Sequence, residues 1–179
     1  MTNAHRYHPY YCEENIWWLA QDPALAELPR WVVFVSNDVK QVPMWQQRAA
    51  EAGEHVVWDY HCLLVTESPN GAEVWDLDSR LATPTRLTDY LAHTFAPLPP
   101  EVAQHTPRFR VVAAAEFLAS FSSDRSHMRT ASGWLKPPPP WDPPTIAGQA
   151  TNLMRFVDMR DTIVGEVLDV EGLRARFAS

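Results

Sequence analysis

The chain has 179 residues, of which 46% are hydrophobic and 21% are charged, a composition typical of one folded domain and not of a disordered protein. Its formal net charge is -7 and it has no cluster of lysine and arginine, which argues against a nucleic-acid-binding surface. No apolar run approaches the roughly 20 residues of a membrane span, and the first residues form no apolar leader. We therefore expect one cytoplasmic domain over residues 1–179, with neither nucleic acid nor membrane as a partner.

The first predicted element is a helix from Cys12 to about Gln21, which follows an N-terminal lead over residues 1–9. Glu13 and Glu14 would lie in its first turn, where the helix dipole favours acidic side chains. Asp22 and the proline after it would end the helix.

Short apolar runs predict strands in the next part of the chain. Trp31–Val35 is rich in β-branched residues and predicts a buried strand, Val56–Thr66 predicts a second strand, and Glu73–Leu77 predicts the returning strand of a hairpin. Between the first two, Pro43–Ala52 predicts a short helix with proline in its first turn.

The second half of the chain predicts helices and one more strand around a proline-rich segment. The helices are expected at Leu87–Thr94, Ala114–Phe121 and Val170–Phe177, and the strand at Arg108–Val112. Residues 136–144 cannot form regular hydrogen-bonded structure, so they predict a loop that either binds an SH3-like partner or packs on tryptophans of the same chain. This order of elements predicts an α+β fold with a mainly antiparallel sheet.

Cys12 is the first candidate for chemistry because it opens the first predicted helix. Amide groups at a helix N-terminus favour the thiolate, although Glu13 and Glu14 oppose it by their negative charge. A cysteine followed along the chain by histidine and aspartate indicates nucleophilic acyl transfer. The other cysteine, Cys62, is expected to be a small buried hydrophobic residue, and both cysteines are expected to be free thiols.

His61 is the candidate base, and the hairpin places an acid beside it. With a turn at Pro69–Asn70, Asp78 would pair with His61 and Asp76 would lie diagonally from it; with a turn at Asn70–Gly71, Asp76 would lie further away. Spacing therefore predicts an acid beside His61 without choosing between Asp76 and Asp78.

Two other patterns in the sequence could indicate a different kind of site. His5, His8 and Cys12 could ligate a metal, but no fourth ligand accompanies them, so we expect neither a metal nor another cofactor. Ser123–Met128 contains serine, aspartate and histidine, but residues so close together in sequence favour a polar loop over a serine triad.

These motifs resemble those of the protein N-terminal glutamine amidohydrolases, enzymes that deamidate a glutamine at the amino terminus of a protein. The matching segments are Tyr11–Trp17, Val33–Asn37, Pro43–Trp45, Trp58–His61, Asp76–Asp78, Phe109–Val111, Ser123–Met128 and the prolines from Pro137 onward. They follow the order of the family along most of the chain. The resemblance thins after about Pro144, and the chain departs from the family in its shorter lead, Trp18, Cys62 and its C-terminal sequence.

The resemblance implies both a fold and a set of site residues. The fold would be papain-like or transglutaminase-like, with a sheet between helical layers. The nucleophile would be Cys12, the histidine His61 and the acid Asp76. Substrates would be proteins or peptides with a free N-terminal glutamine, upstream of proteolysis that depends on the N-terminal residue, and the enzyme would be a monomer.

Selectivity for a free amino terminus requires acceptors for the α-ammonium group. Glu14, Asp124, Ser36 and Asp59 are the candidate substrate-binding residues, although a salt bridge within the fold is an alternative role for Glu14 or Asp124. A cysteine peptidase, a transglutaminase or a non-catalytic module that binds through its proline and aromatic residues would also fit the residue types.

Overall fold

The computed structural model describes residues 5–178, so the first four residues of the expected N-terminal lead and Ser179 lie outside the described range. The α-helices are α1 (Cys12–Leu19), α2 (Leu87–Thr94), α3 (Ala114–Ser120), α4 (Leu153–Val157) and α5 (Val170–Arg176). The strands are β1 (Arg30–Ser36), β2 (Val42–Trp45), β3 (His55–Trp58), β4 (His61–Ser68), β5 (Gly71–Trp75), β6 (Thr85–Arg86), β7 (Arg108–Ala113), β8 (Arg129–Thr130), β9 (Gly133–Trp134) and β10 (Glu166–Leu168).

Six of these strands form the main sheet, in the order β10-β7-β1-β4-β5-β6, and every pairing between them is antiparallel. Successive residues of β1 supply two hydrophobic cores, because side chains along a strand alternate between the faces of the sheet. Val32 and Phe34 pack with α1, α3 and α4, whereas Val33 and Val35 pack with α2 and α5. The chain is therefore an α+β protein with a mainly antiparallel sheet, as the sequence predicts.

Among the helices of residues 5–178, none combines the length and the apolar character that a membrane crossing requires.

The helix predicted over Pro43–Ala52 is wrong. Residues 42–45 form β2, which pairs with β3 in a separate two-stranded ribbon. Val42 and Met44 are fully buried, while Pro43 and Trp45 between and after them are partly exposed. This alternation has the period of a strand, and it outweighs the preference of proline for a first helical turn.

The single strand predicted over Val56–Thr66 is two strands, β3 and β4, which belong to different sheets. The chain breaks at Asp59, whose Oδ1 accepts the Tyr60 backbone N–H at 2.9 Å. The Asp59 carbonyl accepts the Ser36 hydroxyl at 2.7 Å, which fixes this corner against the end of β1. As a result, His61 is the first residue of β4.

The proline-rich segment carries no helix or strand and packs on its own chain. Glu14 of α1 accepts two hydrogen bonds from the Arg125 guanidinium, at 2.7 and 2.8 Å, and one from the Trp141 indole at 2.9 Å. Arg125 also donates to the Trp141 carbonyl at 2.7 Å, and the Tyr11 hydroxyl donates to the Lys136 carbonyl at 3.0 Å. These contacts hold the segment over the start of α1.

A buried arginine of β7 fixes the chain between α4 and β10. Arg110 has no exposed surface, and it donates to the carbonyls of Phe156 at 3.0 Å, Asp158 and Asp161 at 2.6 Å each, and Val164. Arg110→Met would leave these carbonyls without a donor, so we expect it to lower the free energy of unfolding by about 3–5 kcal/mol. Urea unfolding measures this. Arg108→Met, on the same strand, is the matched control and should cost under about 1 kcal/mol; equal losses in both variants would contradict the structural role of Arg110.

Candidate active site

Cys12 lies in the first turn of α1, and the residues before it fix how the chain enters that helix. The Tyr11 carbonyl accepts the N–H groups of Glu14 at 3.1 Å and Asn15 at 3.0 Å. The Asn15 side chain bonds both the N–H and the carbonyl of His8, at 2.8 and 2.9 Å. Within residues 5–178, the N–H groups of Cys12 and Glu13 meet no acceptor. The first turn therefore presents a thiol together with two unpaired amide donors.

His61 and Asp76 are in direct contact, with His61 Nε2 2.8 Å from Asp76 Oδ1 and both side chains at most 2% exposed. The register of β4 and β5 brings them together, since Ser68 pairs with Gly71 and Leu64 with Trp75. Pro69–Asn70 is therefore the turn, the first of the two predicted alternatives. In this register Asp76 lies diagonally from His61, in the position that the sequence left open.

Further side chains hold this pair in place. Asp76 Oδ2 accepts a hydrogen bond from Gln47 Nε2 at 3.0 Å and another from the Tyr90 hydroxyl at 2.8 Å. The Trp58 ring stacks on the His61 ring, with 5.8 Å between centroids and 14° between planes. With Nε2 bound to Asp76, Nδ1 is the nitrogen that His61 keeps for other partners.

The environment changes the pKa values of this group in ways that follow from its contacts. Burial alone would lower the pKa of His61, but the charge and hydrogen bond of Asp76, together with Cys12, raise it well above its ordinary value. Burial would raise the pKa of Asp76, but the His61 charge and the hydrogen bonds from His61, Gln47 and Tyr90 hold it below its ordinary value. Asp76 therefore favours the protonated, doubly donating form of the His61 ring.

The pKa of the Cys12 thiol is raised, whereas its place at a helix N-terminus would by itself favour the thiolate. The nearby Cys62 thiol and burial raise its pKa well above the ordinary value, while His61 acts in the opposite direction. Cys62 is 1% exposed, and burial raises its pKa to about 11. Both cysteines are free thiols, and Cys62 is a buried core residue, as predicted. The sequence did not indicate that Cys62 would interact with the Cys12 thiol.

Cys12 and His61 line the same cavity, which has a volume of about 510 Å³. Polar side chains in its wall are Asp59, Tyr60, Asp78, His127 and Lys136, and the larger apolar ones are Tyr10, Trp58, Met128, Leu135 and Met154. Asp78 Oδ1 accepts the Tyr7 hydroxyl at 2.6 Å, so the two acids of the hairpin have different hydrogen-bond partners.

The structure separates the four candidate substrate-binding residues. Glu14 is fully buried in its ion pair with Arg125 and lies outside the cavity wall, which is the salt-bridge alternative. Asp124 is exposed, and its Oδ1 accepts the Ser126 N–H at 2.9 Å. Ser36 is fully buried and holds the Asp59 carbonyl. Asp59 alone of the four lines the cavity, with an exposed carboxylate.

Candidate metal ligands are engaged elsewhere. His5 Nδ1 lies 3.3 Å from Asp22, and His8 Nε2 lies 2.8 Å from the Pro137 carbonyl, so neither forms a cluster with Cys12. Ligand atoms of His61, Asp76 and Asp78 lie within 4.8 Å of one another. His61 bonds Asp76, which also accepts from Gln47, Tyr90 and the Asp78 backbone N–H, while the Asp78 carboxylate accepts the Tyr7 hydroxyl. These contacts form a hydrogen-bond network.

Several residues of the site were missed from the sequence. Gln47 fell in the segment predicted as a helix, and Tyr90 lies on a helix whose apolar spacing hides its hydroxyl. His127 and Glu13 belong to the two most distinctive motifs of the chain, so their motifs were the signal that could have identified them.

Comparison with known proteins shows to which family the chain belongs. The family model described as N-terminal glutamine amidase matches residues 7–177. A protein N-terminal glutamine amidohydrolase of Arabidopsis thaliana is 38% identical over 95% of this chain and 82% of its own length. The human protein of that name is 35% identical over 97% of this chain and 88% of its own, and that of Drosophila ananassae is 42% identical over 74% and 68%. The family model matches almost the whole chain, and the relatives are similar over most of their length. The chain is therefore a member of the N-terminal glutamine amidase family.

Proposed function

We propose that this protein hydrolyses the side-chain amide of an N-terminal glutamine in proteins or peptides, giving glutamate and ammonia. Membership of the family makes the chain a hydrolase of amide carbon–nitrogen bonds. The observation that carries the finer proposal is that His61, which contacts Asp76 at 2.8 Å, lines the same cavity as Cys12.

In the first step, Cys12 Sγ attacks the carboxamide carbon of the glutamine as its proton passes to His61. Thiol and imidazole exchange protons as a coupled pair, and Asp76 stabilises the imidazolium that forms. The N–H groups of Cys12 and Glu13, which meet no acceptor among the described residues, would serve as donors to the developing oxyanion, and each such donor contributes about 3–4 kcal/mol in comparable sites. His61 then gives its proton to the departing nitrogen. The carbon–nitrogen bond breaks, ammonia leaves and a thioester remains on Cys12.

In the second step, His61 takes a proton from water, whose oxygen attacks the thioester carbon. The carbon–sulfur bond breaks, the thiol is regenerated and the substrate carries glutamate at its amino terminus. Asp76 keeps the ring orientation in both steps, because its other oxygen is fixed by Gln47 and Tyr90.

We extend the proposal to the fold family and the setting of the enzyme. A papain-like or transglutaminase-like arrangement is supported by helices on both faces of the sheet and by a nucleophile that opens α1. We propose a single domain over residues 1–179 that acts as a cytoplasmic monomer without a cofactor, upstream of N-terminal-residue-dependent proteolysis.

Asp59 is our proposed ligand for the α-ammonium group. Its Oδ1 is occupied by the Tyr60 N–H, whereas Oδ2 receives no hydrogen bond from any described residue and the side chain is exposed in the cavity wall. A carboxylate at this place pairs with a free ammonium group and is left without a charge partner when the amino terminus is acetylated and therefore neutral.

Peptides that differ only at the amino terminus test this proposal. We expect ammonia release from a Gln-initiated peptide, with no cleavage of its peptide bonds, and a loss of kcat/KM of about 10- to 100-fold when its α-amino group is acetylated. Asp59→Asn should raise KM for the free peptide and reduce the discrimination between the two peptides. Equal turnover of free and acetylated peptides by the wild-type enzyme would contradict the ammonium site.

A further inference from the structure

A second pair of histidine and carboxylate, His127 and Glu13, lies close to Cys12. Glu13 is fully buried, its Oε2 lies 3.7 Å from Cys12 Sγ, and the same oxygen accepts the Tyr60 hydroxyl at 3.0 Å. Its other oxygen, Oε1, lies 3.4 Å from His127 Nε2 and has no hydrogen bond to any described residue. His127 itself lines the cavity beside Cys12.

The position of Glu13 poses an electrostatic problem for the proposed chemistry. A buried carboxylate disfavours negative charge on a neighbouring sulfur, and burial makes this repulsion stronger than it would be in water. Without compensation, Glu13 would oppose the charge that Cys12 acquires when it gives up its proton.

Few groups in this part of the structure can offset the negative charge of Glu13. Among described residues, those close to Cys12 are Glu13, Cys62 and His61 with Asp76 behind its ring. His127 contacts Glu13, and its Nε2 lies 3.5 Å from the Tyr60 hydroxyl. The carboxylates of Asp59 and Asp78 line the same cavity. The charge of His61 is already paired with Asp76. Lys136 also lines the cavity, but its Nζ lies 4.3 Å from the centre of the Tyr10 ring, in a cation–π contact. His127 is the remaining group that can carry positive charge against Glu13.

The fold holds His127 in this position through a neighbouring contact. Arg125, two residues before His127, forms the buried ion pair with Glu14, the residue next to Glu13. Two adjacent acids of α1 therefore meet two nearly adjacent bases of one loop, Glu14 with Arg125 and Glu13 with His127. The contact between Glu13 and His127 therefore follows from the same packing of the loop against α1 that forms the Glu14–Arg125 ion pair.

We propose that His127 is a positioning residue that carries positive charge when the enzyme is active and cancels the charge of Glu13, so that the Cys12 thiolate can form beside that carboxylate. This inference rests on the proposed function only in taking Cys12 as the nucleophile. His127 acts through Glu13 on Cys12 and takes no proton from the substrate.

The test is the pH dependence of Cys12 alkylation by iodoacetamide, with the modified residue identified by peptide mass spectrometry. His127→Gln should move the midpoint of alkylation to higher pH, so that the rate at a fixed pH below the midpoint falls about tenfold or more. Glu13→Gln keeps an acceptor for Tyr60 and removes the charge, so adding His127→Gln to it should produce no further shift. His93→Gln, the same change on exposed α2, is the matched control and should leave the profile unchanged.

An unchanged profile in His127→Gln, or an equal shift from that change with and without Glu13→Gln, would overturn the inference. A measurement on the unsubstituted protein keeps it testable if His127→Gln does not fold: nitrogen NMR should show a doubly protonated His127 ring at the pH of the activity assay, and a neutral ring would also overturn it. Ammonia release by the wild-type enzyme is measured alongside. If it is absent, the proposed function fails; if it is present and the profiles coincide, only the role of His127 fails.

Discussion

Cys12→Ala is expected to reduce ammonia release from a Gln-initiated peptide by at least about 10⁴-fold, because it removes the atom that forms the thioester. The side chain is largely buried at the start of α1, so the loss of one sulfur should change the free energy of unfolding far less than it changes the rate. The rate of ammonia release from one Gln-initiated peptide measures the first effect. Unfolding followed by circular dichroism measures the change in the free energy of unfolding.

Cys62→Ala is the matched control for that prediction. It removes the other buried thiol of the same core, whose proximity raises the pKa of Cys12. We expect this variant to retain activity and to alkylate Cys12 at lower pH than the wild-type enzyme does. Substantial deamidation by Cys12→Ala, or an equal loss in both variants, would contradict the assignment of Cys12 as the nucleophile.

Asp76→Asn is expected to lower kcat by about 10³- to 10⁴-fold, since it removes the charge that holds the His61 ring in its tautomer and stabilises the imidazolium. The amide would also present an N–H donor to Gln47 or Tyr90, both of which already donate to Asp76. Asp78→Asn makes the same chemical change two residues away, at a carboxylate that accepts the Tyr7 hydroxyl, and should cost at most about tenfold. A larger loss in Asp78→Asn would give the orienting role to Asp78.

Asp76→Asn is also expected to shift the pH dependence of kcat/KM in one direction. The folded pKa of His61 is raised, so the stabilising charge of its pair with Asp76 is present below the ordinary histidine pKa and is lost as pH rises through the raised value. The folded pKa of Asp76 is lowered, so its contribution is present above the ordinary aspartate pKa and is lost as pH falls through the lowered value. Asp76→Asn should therefore move the basic limb of the kcat/KM profile to lower pH; an unmoved limb would show that His61 does not depend on Asp76.

Much of the fold could be predicted because its larger elements carry a regular hydrophobic pattern. Leu87–Thr94 is a helix over the predicted residues, and the strand predicted at Trp31–Val35 lies within β1. The pattern failed where one local preference competed with another, as in β2, where proline suggested a helical turn and alternate burial required a strand. Strands of two residues, such as β6, are too short to show a hydrophobic period in the sequence, and they form only through pairing with another strand.

The site was predictable only in part, because its geometry combines local and distant relations. His61 and Asp76 are linked by one hairpin, so two possible turns reduced the choice to neighbouring acids, and the pairing of Ser68 with Gly71 decides between them. Gln47 and Tyr90 reach Asp76 from other elements, and His127 reaches Glu13 across more than 100 residues. No periodicity encodes such contacts; the resemblance to a family implied Cys12, His61 and Asp76, and the folded chain adds Gln47, Tyr90 and His127.

The most direct test of the account is the mass of the wild-type enzyme during turnover. A Gln-initiated peptide is mixed with enzyme, quenched in acid within one turnover, and the protein is analysed by intact-mass and peptide-mapping mass spectrometry. A thioester intermediate would give an adduct on Cys12 equal in mass to the peptide less one ammonia, which disappears when hydroxylamine is added. Ammonia release at full rate with no adduct on Cys12 at any quench time, and unimpaired in Cys12→Ala, would contradict it.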